Sequence, residues 1–356
     1  MLAGQPGMSS PSQAADDGRP PEYGHYAAAG IAALQRWYRP WAGRWRTTGW
    51  WNSANALTAV IAYIERTGDD NYRPVIGRTF TGARRRHADF LNSYFDDNGW
   101  WGLAWVAAHD LTGESRYLEA ARTIFANMLT GWDDTCGGGV WWNTERTYKN
   151  AITNELFITL AARLCQRCSG ASANYLDWAL RGWEWFDSRG LIGDSGLVND
   201  GLTATCENNG GVTYSYNQGV ILGGLAALSD VTGDAGYLNC GQDIADATLR
   251  LLTTGPSDGT PGILIDPNEG APARRNRDGP QFKGIFMRNL YDFSLRRSRP
   301  EYQRFICANA RSIWANNRNP KNQFGLRWAG PFDQADASRQ SSALDALNAA
   351  IPFAAD

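Results

Sequence analysis

Three similar segments, RTGDDNY at residues 66–72, LTGESRY at 111–117 and VTGDAGY at 231–237, indicate a repeated pair of helices joined by a short turn. In each segment a glycine stands where a helix end favours left-handed backbone, an acidic residue suits the start of the next helix, and a tyrosine follows. The residues before two of these turns have amphipathic helix spacing, namely Trp100, Leu103, Ala104, Ala107, Ala108 and Leu111, and Val220, Gly223, Gly224, Ala227, Leu228 and Val231. The sequence therefore predicts helical hairpins.

The tyrosine that opens the second helix of each pair sets the length of the repeat. Equivalent tyrosines at 72, 117, 175, 237 and 302 give a mean spacing of (302 − 72)/4, or about 57 residues. Twelve helices are predicted to begin near residues 24, 50, 71, 99, 115, 150, 172, 215, 235, 281, 300 and 340, and no segment shows convincing strand alternation. We expect an all-α fold, an (α/α)6 toroid of six inner and six outer helices, with an open right-handed solenoid as the alternative.

The length and composition of the chain predict one catalytic domain. A chain of 356 residues with 43% hydrophobic residues buries a large core, and we assign residues 23–356 to a single domain. Residues 1–22 are predicted to be a disordered leader, because they lack the basic and apolar regions of a signal peptide. No apolar run reaches the length of a membrane span.

The charges and histidines argue against several classes of partner and chemistry. The net charge is −2 with both signs scattered along the chain, which favours a neutral partner over nucleic acid or an anionic membrane, and we expect a monomer. The three histidines, His25, His87 and His109, are too far apart in the predicted fold for a metal cluster or a serine triad. No nucleotide-binding signature has a supporting context, so we predict neither a metal nor a cofactor.

The cysteines and tryptophans leave alternatives open. Six cysteines could form disulfides or remain thiols, their connectivity does not follow from the sequence, and the CxxC at Cys165 and Cys168 lacks the second pair that a zinc site needs. The chain has sixteen tryptophans, several of them in doublets. A doublet on a helix cannot place both rings on the same face, so one ring can fill the core while its neighbour faces a cavity. A tryptophan ring stacks on a pyranose as readily as it fills a core, so each one is a candidate for either role.

The connectors indicate which face of the toroid carries the function. Short TG-acid turns join the helices within a pair, whereas the links before the helices near 150, 215, 281 and 340 are long and rich in Gly, Asn, Asp and Pro. In an up-and-down array the long connectors gather on one face, and binding groups usually lie on such loops. Asp96 and Asp97 precede the helix near 99, which begins on the same face.

Two adjacent carboxylates at this position predict glycoside cleavage. One Asp before a helix is an ordinary N-cap, but a cap does not require the second. Glycosidases use two carboxyl groups, about 5 to 5.5 Å apart when configuration is retained, and like charges so close raise the pKa of one of them. Asp133 and Asp134 form a rival pair in a Gly-rich turn, and Asp69 with Asp70 lies on the opposite face, so both pairs are weaker candidates.

Several stretches of the sequence resemble glycoside hydrolase family 76, the α-1,6-mannanases and their fungal transglycosylase relatives. The stretches are GWWNSANAL from Gly49, FDDNGWWGLAW from Phe95, GGGVWWN from Gly137, KNAITNELFITLAARL from Lys149, YSYNQGVILGGLAAL from Tyr214 and FKGIFMRNL from Phe282. The resemblance implies an (α/α)6 toroid and a retaining mechanism in which Asp96 is the nucleophile and Asp97 the general acid and base. It also implies substrate contacts from Trp51, Asn52, Trp100, Trp101, Trp142, Asn154, Tyr216, Asn217 and Lys283.

The resemblance implies a retaining endo-α-1,6-mannanase that acts on α-mannan or a mannose-containing oligosaccharide. A transglycosylase that passes the sugar from the same intermediate to an acceptor hydroxyl is the first alternative, and a non-catalytic mannan-binding protein is the second. Since members of the family act outside the cell, the resemblance implies a secreted or cell-wall location, although no signal peptide is visible in the sequence.

Overall fold

Twelve α-helices make up most of the structure, a computed structural model that describes residues 23–255, 260–271 and 277–353. The predicted starts agree to within two residues, except that α4 begins at Phe95 and α12 at Ala337. The predicted leader lies outside the described residues. The helices are α1 Tyr23–Gln35, α2 Trp50–Thr67, α3 Arg73–Arg84, α4 Phe95–Thr112, α5 Ser115–Leu129, α6 Ala151–Arg167, α7 Ser172–Ser188, α8 Ser215–Thr232, α9 Gly236–Leu251, α10 Phe282–Ser294, α11 Pro300–Asn316 and α12 Ala337–Ala350.

The six even-numbered helices form a closed ring. Each packs against the next, from α2 through α4, α6, α8 and α10 to α12, and α12 packs back against α2. The odd-numbered helices lie outside, each against its even-numbered neighbour. The contact between α12 and α2 closes the ring, so the (α/α)6 toroid is confirmed and the open solenoid is wrong.

The burial of the helices follows from these two layers. Every residue of α12 is buried, as are most residues of α6 and α8, because an inner helix meets other helices on several sides. An outer helix such as α5 buries one stripe, Tyr117, Ala121, Ile124, Phe125 and Met128, and exposes the rest. The amphipathic pattern in the sequence is therefore strongest in the outer layer.

The short turns share one hydrogen-bonding scheme. Gly68, Gly113 and Gly233 adopt left-handed backbone with φ of 68°, 72° and 73°, as predicted. The threonine before each glycine bonds the carbonyl four residues earlier and accepts the N–H of the acidic residue after the glycine, at Thr67, Thr112 and Thr232. The threonine thus supplies a cap that the sequence analysis did not assign.

The long connectors meet on the opposite face, where they pair with one another. An isolated antiparallel bridge joins Asn150 to Gly201, and another joins Tyr94 to Asn143. A disulfide between Cys136 and Cys206 ties the connector before α6 to the connector before α8. The predicted clustering of long loops on one face is confirmed.

A small hairpin precedes α2 and was not predicted. Its strands, β1 Tyr38–Arg39 and β2 Arg44–Trp45, pair antiparallel with Tyr38 opposite Trp45. In the described part of the chain, no helix combines the length and the apolarity that a bilayer crossing requires.

Glycines set the closest helix contacts in the ring. A Cβ on Gly284 of α10 would lie 2.4 Å from the carbonyl oxygen and 2.5 Å from the Cα of Ser342 on α12. A backbone atom cannot rotate away as a side-chain tip can, so the two helices approach this closely only because position 284 has no side chain.

We predict that Gly284→Ala lowers the free energy of unfolding by about 1–3 kcal/mol, because the added methyl forces α10 and α12 apart. Chemical denaturation followed by circular dichroism measures the change. Gly24→Ala on α1 is the matched control, since a Cβ there meets nothing within 4 Å. Equal stability of the two variants would contradict the close packing of α10 on α12.

Candidate active site

The paired aspartates lie in the first turn of α4, on the face where the long connectors meet. Because α4 begins at Phe95, Asp96 and Asp97 are inside the helix and do not precede it. Neither caps the helix in the usual way: Tyr94 occupies the cap position without a side-chain hydrogen bond. The Asp96 Oδ1 atom instead accepts the N–H of Asp97 at 2.9 Å. The helix N-terminus is favourable for negative charge.

The two carboxyl groups receive different numbers of hydrogen bonds. Asp96 accepts a second one at Oδ2, from the indole Nε1–H of Trp142 at 3.0 Å. Asp97 accepts one at Oδ2, from the Asn92 side chain at 2.6 Å. Two N–H donors favour the charged form of Asp96 more strongly than one donor favours that of Asp97.

The environment raises the pKa of both carboxyls. Burial, and then the charge of Asp97, raises the pKa of Asp96 well above its ordinary value. Burial raises the pKa of Asp97 to about 6, the Asn92 hydrogen bond opposes this, and the charge of Asp278 adds to it. Both residues are only partly buried by surface area, so each side chain keeps access to solvent. The pair therefore retains a proton at weakly acidic pH, shared between two interacting groups.

Asp96 lines a cavity of 230 Å³ with aromatic and acidic walls. The aromatic residues come from α2, α4, α8, α10 and the connector before α6, and the other polar residues come from the connectors or from the residue before α6. The full lining is Trp51, Asp96, Trp100, Trp142, Tyr148, Asn150, Asp200, Tyr216, Asp278 and Phe282. Within the described residues it includes no Lys or Arg.

The aromatic rings of the cavity form a continuous surface. Trp51 stacks on Trp100 at 5.5 Å between ring centroids, and Tyr216 stacks on Phe282 at 4.0 Å. The two pairs connect, because Trp51 also stacks on Phe282 at 6.2 Å. Flat apolar rings beside carboxylates suit the alternating apolar faces and hydroxyl edges of a sugar.

Two further carboxylates of the cavity were missed by the sequence analysis. Asp200 accepts a hydrogen bond from the Tyr148 hydroxyl at 2.7 Å, and Asp278 accepts one from the indole of Trp51 at 3.0 Å. Both lie in the long connectors that were predicted to carry the function. Each is a single Asp in a segment rich in turn residues, so the sequence does not distinguish it from a turn-forming Asp.

Four of the nine predicted substrate contacts line the cavity, and five do not. Trp51, Trp100, Trp142 and Tyr216 are in the lining. The other five are buried among the described residues and are not part of this lining: Asn52, Trp101, Asn154, Asn217 and Lys283.

The contacts of three of these buried residues show what holds them in place. Trp101 packs in the core against Trp50 and Trp105. Asn154 exchanges two hydrogen bonds with the backbone of Val140, and Lys283 bonds Glu269 at 2.7 Å. Such side chains support the loops around the cavity without facing it.

The rival pair Asp133 and Asp134 has a structural role through its first member. Lys149 is 2% exposed, and its Nζ donates to Asp133 Oδ1 at 2.9 Å and to the carbonyls of Thr135 and Gly138 at 2.6 Å each. The indole of Trp141 donates to Asp133 Oδ2 at 2.8 Å. These contacts hold the loop that carries Trp141 and Trp142, and Trp142 bonds Asp96.

Burial disfavours the charged forms of Lys149 and Asp133, and their mutual contact favours them. Burial lowers the pKa of Lys149, and the bond to Asp133 counteracts that effect. Burial alone would raise the pKa of Asp133, but the donors Trp141 and Lys149 hold it well below its ordinary value. Asp133 is therefore ionised at any working pH and acts as an acceptor for the loop.

Comparison with known proteins gives a match over nearly the whole described chain. The model of glycosyl hydrolase family 76 matches residues 34–354. Mannan endo-1,6-alpha-mannosidase DFG5 of Candida albicans is 31% identical over 229 residues, which are 57% of this chain and 50% of that protein. Mannan endo-1,6-alpha-mannosidase DCW1 of Saccharomyces cerevisiae is 30% identical over 248 residues, 65% of this chain and 51% of that protein. This chain thus spans about half the length of these curated relatives.

Solved structures agree with the fold. An inactive variant of the alpha-1,6-mannanase GH76A of Salegentibacter sp. HEL1_6, in complex with alpha-1,6-mannotetrose, has a TM-score of 0.81 at 25% identity and covers 94% of this chain and 100% of that chain. Two consecutive aspartates of that mannanase are replaced by alanine in the variant. Dfg5 from Chaetomium thermophilum, in complex with glucosamine, has a TM-score of 0.80 at 20% identity, with 94% and 91% covered, and shows the fold alone.

We predict that Lys149→Met destabilises the protein by about 2–5 kcal/mol, because it leaves the Asp133 carboxylate and two carbonyls without their buried donor. Urea denaturation measures the loss. Arg146→Met is the control: Arg146 bonds the same Asp133 at 3.2 Å but is 52% exposed in its side chain, so a cost of about 0–1 kcal/mol is expected. A Lys149 variant as stable as the control would show that the loop does not depend on this contact.

Proposed function

Because this chain belongs to glycosyl hydrolase family 76, we propose that it is a retaining endo-α-1,6-mannanase whose catalytic residues are Asp96 and Asp97. The observation that carries the proposal is the placement of the two adjacent carboxyls at the N-terminus of α4, with Asp96 in the wall of an aromatic cavity. The mannanase GH76A binds mannotetrose and is inactive when two consecutive aspartates are replaced. That agreement supports mannan as the substrate and these residues as the pair.

The hydrogen bonds support one division of roles between the carboxyls. Asp96, with two N–H donors, is the carboxylate that attacks the anomeric carbon and forms the glycosyl ester. Burial raises the pKa of both carboxyls, but the two N–H donors of Asp96 favour its charged form, so we assign the shared proton to Asp97, which gives it to the departing glycosidic oxygen as that bond breaks. Water then attacks the same carbon, loses its proton to Asp97 and releases Asp96.

Trp142 positions the nucleophile in this scheme. Its indole N–H bonds the Asp96 Oδ2 atom, and the backbone of the same residue accepts the N–H of Phe95 at 2.8 Å. The loop that carries Trp142 is therefore fixed to the first turn of α4 at both side chain and backbone. This arrangement keeps the carboxylate in one orientation before the sugar binds.

The aromatic surface supports cleavage within a chain. Tyr94, 37% exposed, lies 4.9 Å from Trp142 between ring centroids and extends the stacking surface beyond the cavity. Trp51 and Phe282 add further rings beside Trp100. Rings that reach beyond the cavity support the binding of several sugar units at once, as an endo-acting enzyme needs. Product profiles that contain only mannose from the first minutes would contradict endo action.

Three lesser parts of the proposal follow from the fold and the disulfide. We propose that residues 23–356 act as one catalytic domain and as a monomer, which sedimentation analysis would test. The disulfide between Cys136 and Cys206 supports a location outside the cytosol, because disulfides persist in oxidising compartments. Detection of the native protein only in the cytosol would contradict that location.

We predict that Asp96→Asn and Asp97→Asn each lower kcat on linear α-1,6-mannan by about 10²–10⁴-fold or more, since each removes one of the two reacting carboxyls. Asp134→Asn, an exposed Asp of the rival pair, should leave kcat unchanged. NMR of the first product should show the α configuration. A β product would replace retention by inversion, and oligosaccharides that lengthen when acceptor is added would identify the transglycosylase alternative from the same intermediate.

We predict that kcat/KM falls as pH rises through about 6, the value to which burial raises the pKa of Asp97. The sign follows from the role: an acid with a raised pKa keeps its proton up to that pH and loses the active form above it. Because the charge of Asp278 contributes to this raised pKa, Asp278→Asn should move the alkaline limb to lower pH. A pH–rate profile of the two proteins on mannotetraose measures both effects, and a limb that stays in place in the variant would show that Asp97 is not the titrating acid.

A further inference from the structure

The arginines of the chain are not scattered evenly, contrary to the expectation from net charge. Residues 23–64 and 71–88 contain no Asp or Glu, and they include nine of the arginines between Arg36 and Arg86. Several of these belong to the hairpin that the sequence analysis did not predict, and several to α3 and the three residues after it. A protein with net charge −2 thus contains two long segments whose only charges are positive.

The fold brings these two segments together. Gly43 of the hairpin packs directly on α3, where an added Cβ would lie 2.7 Å from the carbonyl oxygen of Thr79. The Tyr38 hydroxyl is 3.0 Å from that of Thr79. The positive charges of Arg39 and Arg86 act on Arg44 and lower its pKa, after the larger effect of burial. Arginines far apart in the sequence are therefore close enough to repel one another.

A groove of 300 Å³ lies between the hairpin and α3, and an exposed tryptophan forms one wall. Trp41 is 69% exposed, the highest value among the large hydrophobic residues of the described chain. Arg78 and Arg85 line the groove with Trp41, and both are exposed. Within the described residues neither arginine forms an ion pair with a carboxylate, and no ring or cation stacks on Trp41. The groove thus offers an uncovered ring beside two unpaired guanidinium groups.

The groove runs along the outer side of α3, from Gly77, which lies near the short turn at Thr112 and Glu114, to Arg85 just after the end of the helix. His87, which follows Arg86, packs against Trp50 at 4.3 Å between ring centroids. Trp51, which follows Trp50 in α2, lines the cavity. The hairpin leads into α2, and the segment after α3 leads to Asp96.

We propose that the groove between Trp41, Arg78 and Arg85 binds a phosphorylated mannan, with a sugar ring on Trp41 and its phosphate on the arginines. Guanidinium groups bind phosphate oxygens through paired N–H donors, and an exposed indole stacks on a pyranose face. The inference rests on the proposed activity toward mannan and adds a substrate class to it. Arg39, Arg44 and Arg86 strengthen the positive field around the groove without lining it.

The shape of the surface favours a glycan over a membrane. Peripheral membrane binding needs a broad apolar face that enters the bilayer, together with basic residues around it. Here the exposed apolar residue is a single tryptophan beside a concave groove, with charged side chains on the opposite wall. One ring and two guanidinium groups match a sugar and a phosphate more closely than a lipid surface.

The test is binding of phosphorylated and neutral mannan by affinity electrophoresis, with Asp96→Asn/Asp97→Asn as the background so that no ligand is cleaved. We expect Trp41→Ala and the double variant Arg78→Glu/Arg85→Glu each to weaken binding of phosphorylated mannan by about tenfold or more, and binding of neutral mannan far less. The effect of the arginines should shrink between about 0.05 M and about 0.5 M NaCl, because salt screens exposed charges.

A matched control has the same change in net charge elsewhere. Arg122→Glu/Arg250→Glu reverses two exposed arginines on α5 and α9 and should bind phosphorylated mannan as the background protein does. The groove variants, returned to the wild-type background, should hydrolyse neutral α-1,6-mannotetraose at the wild-type rate. Unchanged binding of phosphorylated mannan by the groove variants would overturn the proposal. Variants that lose binding only to vesicles of anionic phosphatidylglycerol would also overturn it and would indicate a lipid surface.

The binding assay separates this inference from the proposed function. Binding is measured without turnover, so the two proposals can fail separately. If the wild type cleaves no mannan, but Arg78→Glu/Arg85→Glu still weakens binding of phosphorylated mannan, only the catalytic proposal is overturned. Normal cleavage of mannotetraose, combined with groove variants that bind like the control, would overturn only the arginine site.

Discussion

The contact of α12 with α2 is the constraint on which the rest of the structure depends. It closes the ring of inner helices, so these helices are buried among neighbours while their N-termini meet on one face. That face receives the long connectors, and the N-terminus of α4 places Asp96 in the cavity there. An open array of the same hairpins would leave the ends of α2 and α12 exposed and would not bring Trp51, from α2, against Phe282, from α10.

Closing the ring also creates a buried polar interior beneath the cavity. Arg288 bonds Asp345 at 3.0 Å, bonds Asn55 as well, and places its guanidinium 5.7 Å from the ring centroid of Trp100. Burial raises the pKa of Asp345 to about 6 although Arg288 lowers it, so the pair is retained despite a cost of desolvation. Arg288, Asp345 and Asn55 come from α10, α12 and α2, the helices that close the ring. The pair therefore fixes their register below the aromatic floor.

The sequence predicts the helices well because glycine and periodicity act locally, and it predicts the site less well because the site depends on loops. Thr67, Gly68 and their equivalents carry their turn in a few residues, whereas Asp200 and Asp278 become neighbours of Asp96 only after two long connectors fold. Trp100 and Trp101 are equivalent by sequence, yet one lines the cavity and the other lies wholly in the core. Helix phase decides between adjacent rings, and the sequence alone does not show which side of α4 faces the cavity.

The distribution of charge gives the cavity and its surroundings different roles. Asp96, Asp200 and Asp278 line the cavity, and no Lys or Arg does so within the described residues, so an anionic group on a sugar would be repelled from the cavity. Arg78 and Arg85 lie outside it, along the outer side of α3, where that group would be attracted. The two proposals together assign neutral mannose units to the cavity and phosphate-bearing units to the groove.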